Sequence, residues 1–148
     1  MIQHNIIFDA HEILLKIDRY IKEQGIQFEV SATAPSTYEE LRTQCNPYSI
    51  TVWSGASDRT IWGYRGNHLF RVFHDHLHLK YGLDFSDESE RQVCELSIAL
   101  LGLDGIHAMI MQAEICGQLD YKNTHNEFPT DQTQFTAEYV REFGDLED

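Results

Sequence analysis

The sequence predicts an α+β domain that is mostly α: a helical bundle with a small N-terminal antiparallel β element. Three observations carry this expectation. Apolar residues recur at helical spacing near the N-terminus and over most of the chain after Asn67. Two short β-rich runs lie between those stretches. The length of 148 residues suits one domain, 1–148, able to bury roughly 68–70% of its unfolded-chain surface without disulfide staples.

The elements follow in order. Residues 6–22 set Ile6, Ile7, Ala10, Ile13, Leu14, Ile17 and Ile21 at helical spacing, opposite Asp9, Glu12, Lys16 and Arg19. Gly25 ends that helix. Residues 26–30 alternate as a strand does, and residues 48–53 form the second β-rich run. Between them Pro35-Ser36-Thr37 opens a brief helix around 38–42, and the two runs are read as an antiparallel pair. Residues 53–66 hold three glycines, two tryptophans and a tyrosine, and read as an ordered loop. A helix over 67–81 is stopped by Gly82. Ser86 or Asp84 caps the next, over 87–103, with Asp87, Glu88 and Glu90 in its first turns as the helix dipole favours. This helix is apolar nearly all round after Val93, which predicts a central position. Asp104-Gly105 breaks the chain before a helix over 106–119, and a last helix runs over about 130–143.

Eleven Lys and Arg against 24 Asp and Glu give a net charge of −13 and a pI near 4.8. That balance argues against a general nucleic-acid binder or a binder of anionic membranes, because both need clustered Lys and Arg. An acidic protein that mimics nucleic acid stays open. Cys45, Cys94 and Cys116 form no CxxC pair, and two of them sit among apolar residues, where a free thiol behaves as a small hydrophobe. A reducing compartment follows. The N-terminus lacks a basic n-region with a long apolar stretch, and the longest apolar run, 98–103, is far short of a membrane span. The expectation is a cytoplasmic protein with no transmembrane segment; association into homo-oligomers is left open.

The chemistry concentrates in Phe73-His74-Asp75-His76-Leu77-His78. On a helix, His74 and His78 are i,i+4 neighbours and Asp75 is i−3 from His78, so the three share one face while His76 points away. Two imidazoles and a carboxylate at that spacing can ligate a first-row divalent ion. A fourth candidate, Glu90, follows His78 after eleven intervening residues. His78 lies about one turn before Gly82, and Glu90 about one turn into the returning helix, so an antiparallel pair brings Glu90 back to the histidine face. The metal candidates are therefore His74, Asp75, His78 and Glu90.

The pattern H-D-x-x-H-x(11)-E, carried here by His74, Asp75, His78 and Glu90, resembles the metal motif of the coenzyme Q biosynthesis protein Coq-four family. Phe70-Arg71 before it, Tyr81-Gly82 after it and an acidic residue two before Glu90 are similar as well, so the likeness spans roughly 70–95. The resemblance implies a helical protein concerned with late modification of a quinone ring. It also implies that these four residues hold a divalent metal, usually zinc.

Arg65 and Arg71 can orient an anionic group, as can Arg91, and Trp62 and Tyr64 can line an aromatic pocket together with Trp53 and Tyr81. The substrate-binding candidates are Arg65, Trp62, Tyr64 and Arg71, with the 53–66 loop facing an open coordination position. The reading is a divalent-metal-binding protein (Zn2+, or else Mn2+ or Fe2+), a small-molecule metalloenzyme of lyase or hydrolase type. Two alternatives accompany it. One is an acidic binding or inhibitor protein in which the metal only clamps two helices. The other is a metal-dependent phosphohydrolase, for which His11 or His68 and Asp104 or Asp120 would complete a His-Asp core. A zincin-type site is a poor fit, because Asp75 is too short to reach metal-bound water as the general-base Glu does.

Overall fold

The computed structural model describes residues 6–57 and 60–144. Residues 1–5, on which part of the expected location rests, and residues 58–59 of the 53–66 segment lie outside the described residues.

The chain opens with α1 (Ile6–Glu23), which buries Ala10, Ile13, Ile17 and Ile21, while Ile7 of the expected apolar face is exposed. Strand β1 (Gln27–Ser31) follows, then α2 (Tyr38–Gln44), then β2 (Ser49–Trp53). Thr37 caps α2 by accepting from the Glu40 N–H, which fixes where that helix starts.

β1 and β2 pair in parallel, with Gln27 opposite Ser49 and Ser31 opposite Trp53, so the antiparallel expectation is corrected. The reason is the connection. Antiparallel neighbours join through a short turn, whereas a chain that crosses back through a helix re-enters in the same direction. α2 is that crossover. Ile50 and Val52 of β2 face the core, and their β1 partners Phe28 and Val30 stay partly exposed at the edge.

Helix α3 (Gly63–Tyr81) begins four residues earlier than expected, so Tyr64 and Arg65 belong to its first turn rather than to a loop. Gly66 falls inside it because α1 passes close by: a Cβ there would lie 2.5 Å from Leu14 Cδ1. Gly82, at φ +65°, ends α3 in the left-handed conformation, its N–H returning to the His78 carbonyl.

Helix α4 (Asp87–Leu101) is capped by Ser86 and packs on both α1 and α3. It buries Val93, Cys94, Ser97 and Leu101, whereas Leu100 is exposed, so its apolar far face lies at the surface. Helix α5 (Gly105–Gln112) runs without a break through a π turn (Ala113–Gly117) into α6 (Gln118–His125), six residues beyond the expected end. Gly117, inside this helix, is a packing glycine: the Tyr139 and Phe135 rings close over it. Asn126, at φ +63°, ends α6. Helix α7 (Gln132–Gly144) then packs on α5 and the π turn.

The core runs from Ala10 and Ile13 of α1 through Val72, Phe73 and Leu77 of α3 to Met111 and Val140. Two polar ties cross it. His107 Nε2 lies 3.2 Å from both Asp9 Oδ1 and Glu12 Oε2, joining α5 to α1. His76, wholly buried, donates from Nδ1 to the Pro47 carbonyl at 2.6 Å and accepts at Nε2 from the Tyr20 hydroxyl at 3.0 Å. Burial lowers the His76 pKa, in keeping with a neutral ring that uses one nitrogen each way. Among the described residues no helix is long and apolar enough to cross a membrane.

His76→Ala is expected to cost about 2–4 kcal/mol, since it opens a cavity and strands the Pro47 carbonyl. Tyr20→Phe, which loses one hydrogen bond, should cost about 1 kcal/mol. Urea unfolding of both variants checks the ordering; equal small losses would show that the ring is not a core tie.

Candidate metal centre and adjoining cleft

The reversal between α3 and α4 builds the centre. After Gly82 the Leu83 N–H returns to the His78 carbonyl at 2.9 Å, and the His78 Nδ1–H donates to the Leu83 carbonyl at 2.8 Å. Asp84 Oδ1 accepts from the Ser86 N–H at 3.1 Å and from the Ser89 hydroxyl at 2.8 Å. The turn is therefore tied at both ends, and α4 starts where its first turn brings Glu90 back over α3.

Glu90 Oε1 lies 2.8 Å from His74 Nε2 and 2.8 Å from His78 Nε2, and the two nitrogens are 3.3 Å apart. Among the described residues, His74, His78 and Glu90 form a group able to hold one ion, and Asp9, Glu12 and His107 form another. Asp75 is not in the first group. Its Oδ1 stands 3.8 Å from His74 Nδ1, on the outer side of that ring. The structure thus brings three of the four expected ligands together and sets the fourth behind one of them.

Rings hold the imidazoles from the other sides. Phe70 stacks on His74 at 5.9 Å between centroids, Trp62 stacks on Phe70 at 5.0 Å, and Phe85 meets His78 edge-on at 4.8 Å. Both histidines consequently turn Nε2 inward and Nδ1 outward, as ligating histidines with outer-shell partners do. Burial disfavours the His74 imidazolium, but the Glu90 and Asp75 carboxylates outweigh it and raise its pKa to about 10. Burial likewise disfavours the Glu90 carboxylate, and the two histidines outweigh it and hold that group well below the usual carboxylate range.

His74 and Asp75 also edge a cleft of about 590 Å³. Trp53, Phe70 and Phe128 give it aromatic surface, Arg71 lies in its wall, and Glu114 and Gln118 face it from the π turn and α6. Arg71 donates to the Trp53 carbonyl at 2.5 Å and the Gly55 carbonyl at 2.7 Å, and its guanidinium sits 5.5 Å from the Trp53 ring centroid. Of the expected substrate-binding residues, only Arg71 lines this cleft. Trp62 is buried behind Phe70, Tyr64 is exposed with its ring against His68, and Arg65 is exposed on the first turn of α3. Arg91 pairs with Asp120 at 2.6 Å, bridging α4 to α6.

Residues nominated for a His-Asp phosphohydrolase core do not join the centre. His68 Nε2 lies 3.5 Å from the Ser54 carbonyl, Asp120 is held by Arg91, Asp104 is the N-cap of α5 and His11 is on α1. The residues that sequence reasoning missed are Glu114, Gln118 and Phe128. A signal existed for the first: Glu114 is the one carboxylate inside the apolar run 106–119. No family model, curated protein or solved structure matches the chain.

In the metal-free protein the pair is a His74 imidazolium with a Glu90 carboxylate. The His74 contribution to stability is complete below its unfolded value of 6.5 and is lost as pH rises through about 10. The Glu90 contribution is complete above 4.5 and is lost on acidification. The Glu90→Gln penalty is therefore expected to be largest between about pH 4.5 and 6.5 and to shrink toward about pH 10. Urea unfolding with chelator present checks this; a penalty flat across that range contradicts the assignment.

Proposed function

We propose that the chain is a divalent-metal-binding protein and a small-molecule metalloenzyme, with His74, His78 and Glu90 as ligands. The observation that carries the reading is the convergence of two imidazole Nε2 atoms and one carboxylate oxygen within 3.3 Å of one another, each ring backed at Nδ1. Asp75 takes the place of an orienting partner to His74, although the motif shared with the Coq-four family implies a ligand there. The donors, imidazole and carboxylate, suit Zn2+, Mn2+ or Fe2+. Such an ion, when bound, supplies Lewis acidity and can activate water.

The cleft beside His74 supports a substrate of small aromatic type, and the resemblance to the Coq-four motif points the same way, toward a quinone-like ring. Lyase or hydrolase chemistry fits such a site. The net charge of −13 argues against nucleic acid as the partner, and free cysteines agree with a cytoplasmic protein. One observation favours a second reading. His78 is wholly buried and Glu90 bridges α3 to α4, which suits a metal that only clamps these helices within an acidic binding protein.

Elemental analysis of protein prepared without a His tag is expected to give one divalent ion per chain. His74→Ala and His78→Ala should each abolish stoichiometric metal, while His76→Ala retains it. Asp75→Asn should lower affinity about 10–100-fold if it orients His74. Saturating metal at a hundredfold excess over Kd should add about 2.7 kcal/mol to stability. Equal metal content in all four variants overturns the site. A metal that stabilises but leaves no ligand-exchangeable position, read by the spectrum of a Co2+-substituted sample, favours the clamp.

A further inference from the structure

We propose that Asp9, Glu12 and His107 form a second divalent-cation site, suited to a hard ion of the Mn2+ kind and joining α1 to α5. This site does not depend on the centre at His74, His78 and Glu90.

Asp9 and Glu12 are three residues apart on α1, so their carboxylates leave that helix on one face. His107 reaches them from the first turn of α5, two residues after Gly105, whose φ of +51° lets the chain turn into the helix. The His107 N–H returns to the Asp104 carbonyl at 3.1 Å, which fixes that first turn. The same two helices bury Ala10, Ile13 and Ile110 completely, so all three donors stand on backbone seated in the core. His107 Nε2 is 3.2 Å from Asp9 Oδ1 and 3.2 Å from Glu12 Oε2, and the three atoms lie within 4.8 Å of one another. Between them there is room for one ion.

A ring N–H accounts for only half of this arrangement. It is directed at Asp9 Oδ1, while Glu12 Oε2 stands at the same distance from Nε2 without receiving a hydrogen bond from it. Two carboxylates drawn to one nitrogen repel each other, and a divalent ion among the three atoms relieves both. Ligation takes Nε2 through its lone pair, so the ring then carries its hydrogen on Nδ1. One imidazole with two carboxylates is a harder donor set than the two imidazoles and one carboxylate of the first centre, which suits Mn2+. The Asp9 and His107 side chains are 13% and 18% exposed and that of Glu12 is 43% exposed, so the site is shielded on its inner side and open to water on its outer side. Its ion therefore exchanges readily, and the single ion expected to stay on the isolated protein is that of the His74 centre. The two centres also stand apart. Leu14 meets Gly66 and Tyr20 meets Phe73, so α1 and α3 run side by side in the same direction. Asp9 and Glu12 precede the first of these contacts and His74 and His78 follow the second, a separation of roughly 15 Å along the helix axes.

The test titrates Mn2+ into the full chain carrying stoichiometric Zn2+, in about 0.15 M KCl to screen loose association of cations with an acidic surface. Paramagnetic broadening of the amide NMR signals reports where Mn2+ binds. Signals of residues 106–108 are expected to broaden saturably, and at lower Mn2+ than those of the exposed acidic residues 87–88. Glu12→Gln, a change at a half-exposed side chain, removes one ligand and should weaken this binding by more than the about 10–100-fold that outer-shell partners cost. Mn2+ should also raise the thermal midpoint of wild type and leave that of Glu12→Gln unchanged. Broadening at 106–108 that does not saturate, or that is no stronger than at 87–88, overturns the site on wild type alone. A Glu12→Gln protein that binds Mn2+ as wild type does overturns it as well. Signals of residues 77–79 are followed in the same spectra and report on the His74 centre, so failure of that reading and failure of this one are told apart.

Discussion

Glu90 Oε1 stands at hydrogen-bonding distance from two imidazoles on the neighbouring helix, and this shared contact holds α4 against α3 where both start or end. It requires a helix that stops at the right residue, which Gly82 ensures by adopting a conformation that costs a residue with a side chain. It requires the next helix to begin at the right residue, which Asp84 and Ser86 fix by occupying the first free N–H groups. It also requires both rings to present the same nitrogen. For His78 that choice is made by the carbonyl of the turn itself, so the reversal and the ring orientation are one structural event.

Around this contact polarity is distributed unevenly. Carboxylates press on His74 from two sides, and aromatic rings close the others: Phe70 below it with Trp62 behind, and Phe85 against His78. Electrostatic effects act strongly there because water is largely kept out. Across the cleft the opposite holds. Glu114 has an amide and a hydroxyl near it rather than a charge, and burial outweighs those two hydrogen bonds and raises its pKa. Two carboxyl groups of the same chemistry are thus driven apart, one held ionised and one held neutral, by what surrounds them. Such separation marks sites where proton inventory matters.

How much of this was legible depended on distance along the chain. The His74, His78 and Glu90 grouping is local: an i,i+4 pair and one helix reversal place it, so spacing sufficed. Asp75 shared the right face but not the right side of the ring, because which imidazole nitrogen turns inward is decided by tertiary partners such as Leu83. The sheet direction is not legible even with a crossover helix at 38–42, since both runs alone fit either pairing. The cleft was misplaced for a similar reason. Trp62 and Tyr64 precede the motif in sequence, yet helix geometry turns one inward and the other outward, and the actual far wall comes from Glu114 and Phe128.

The position of Arg71 has a consequence for how the two halves of the site communicate. It lies one helical turn before His74 and pins the Trp53 to Ala56 backbone to the same helix that carries the imidazoles. The cleft rim and the two-histidine cluster are therefore both carried on one lever, α3. A molecule that changes the seat of α3 when it enters the cleft changes the spacing of the cluster, and an ion that draws α3 toward Glu90 changes the mouth of the cleft. Free energy passed in one direction along such a lever must be returned in the other, so the factor by which an ion alters a ligand's affinity equals the factor by which the ligand alters the ion's.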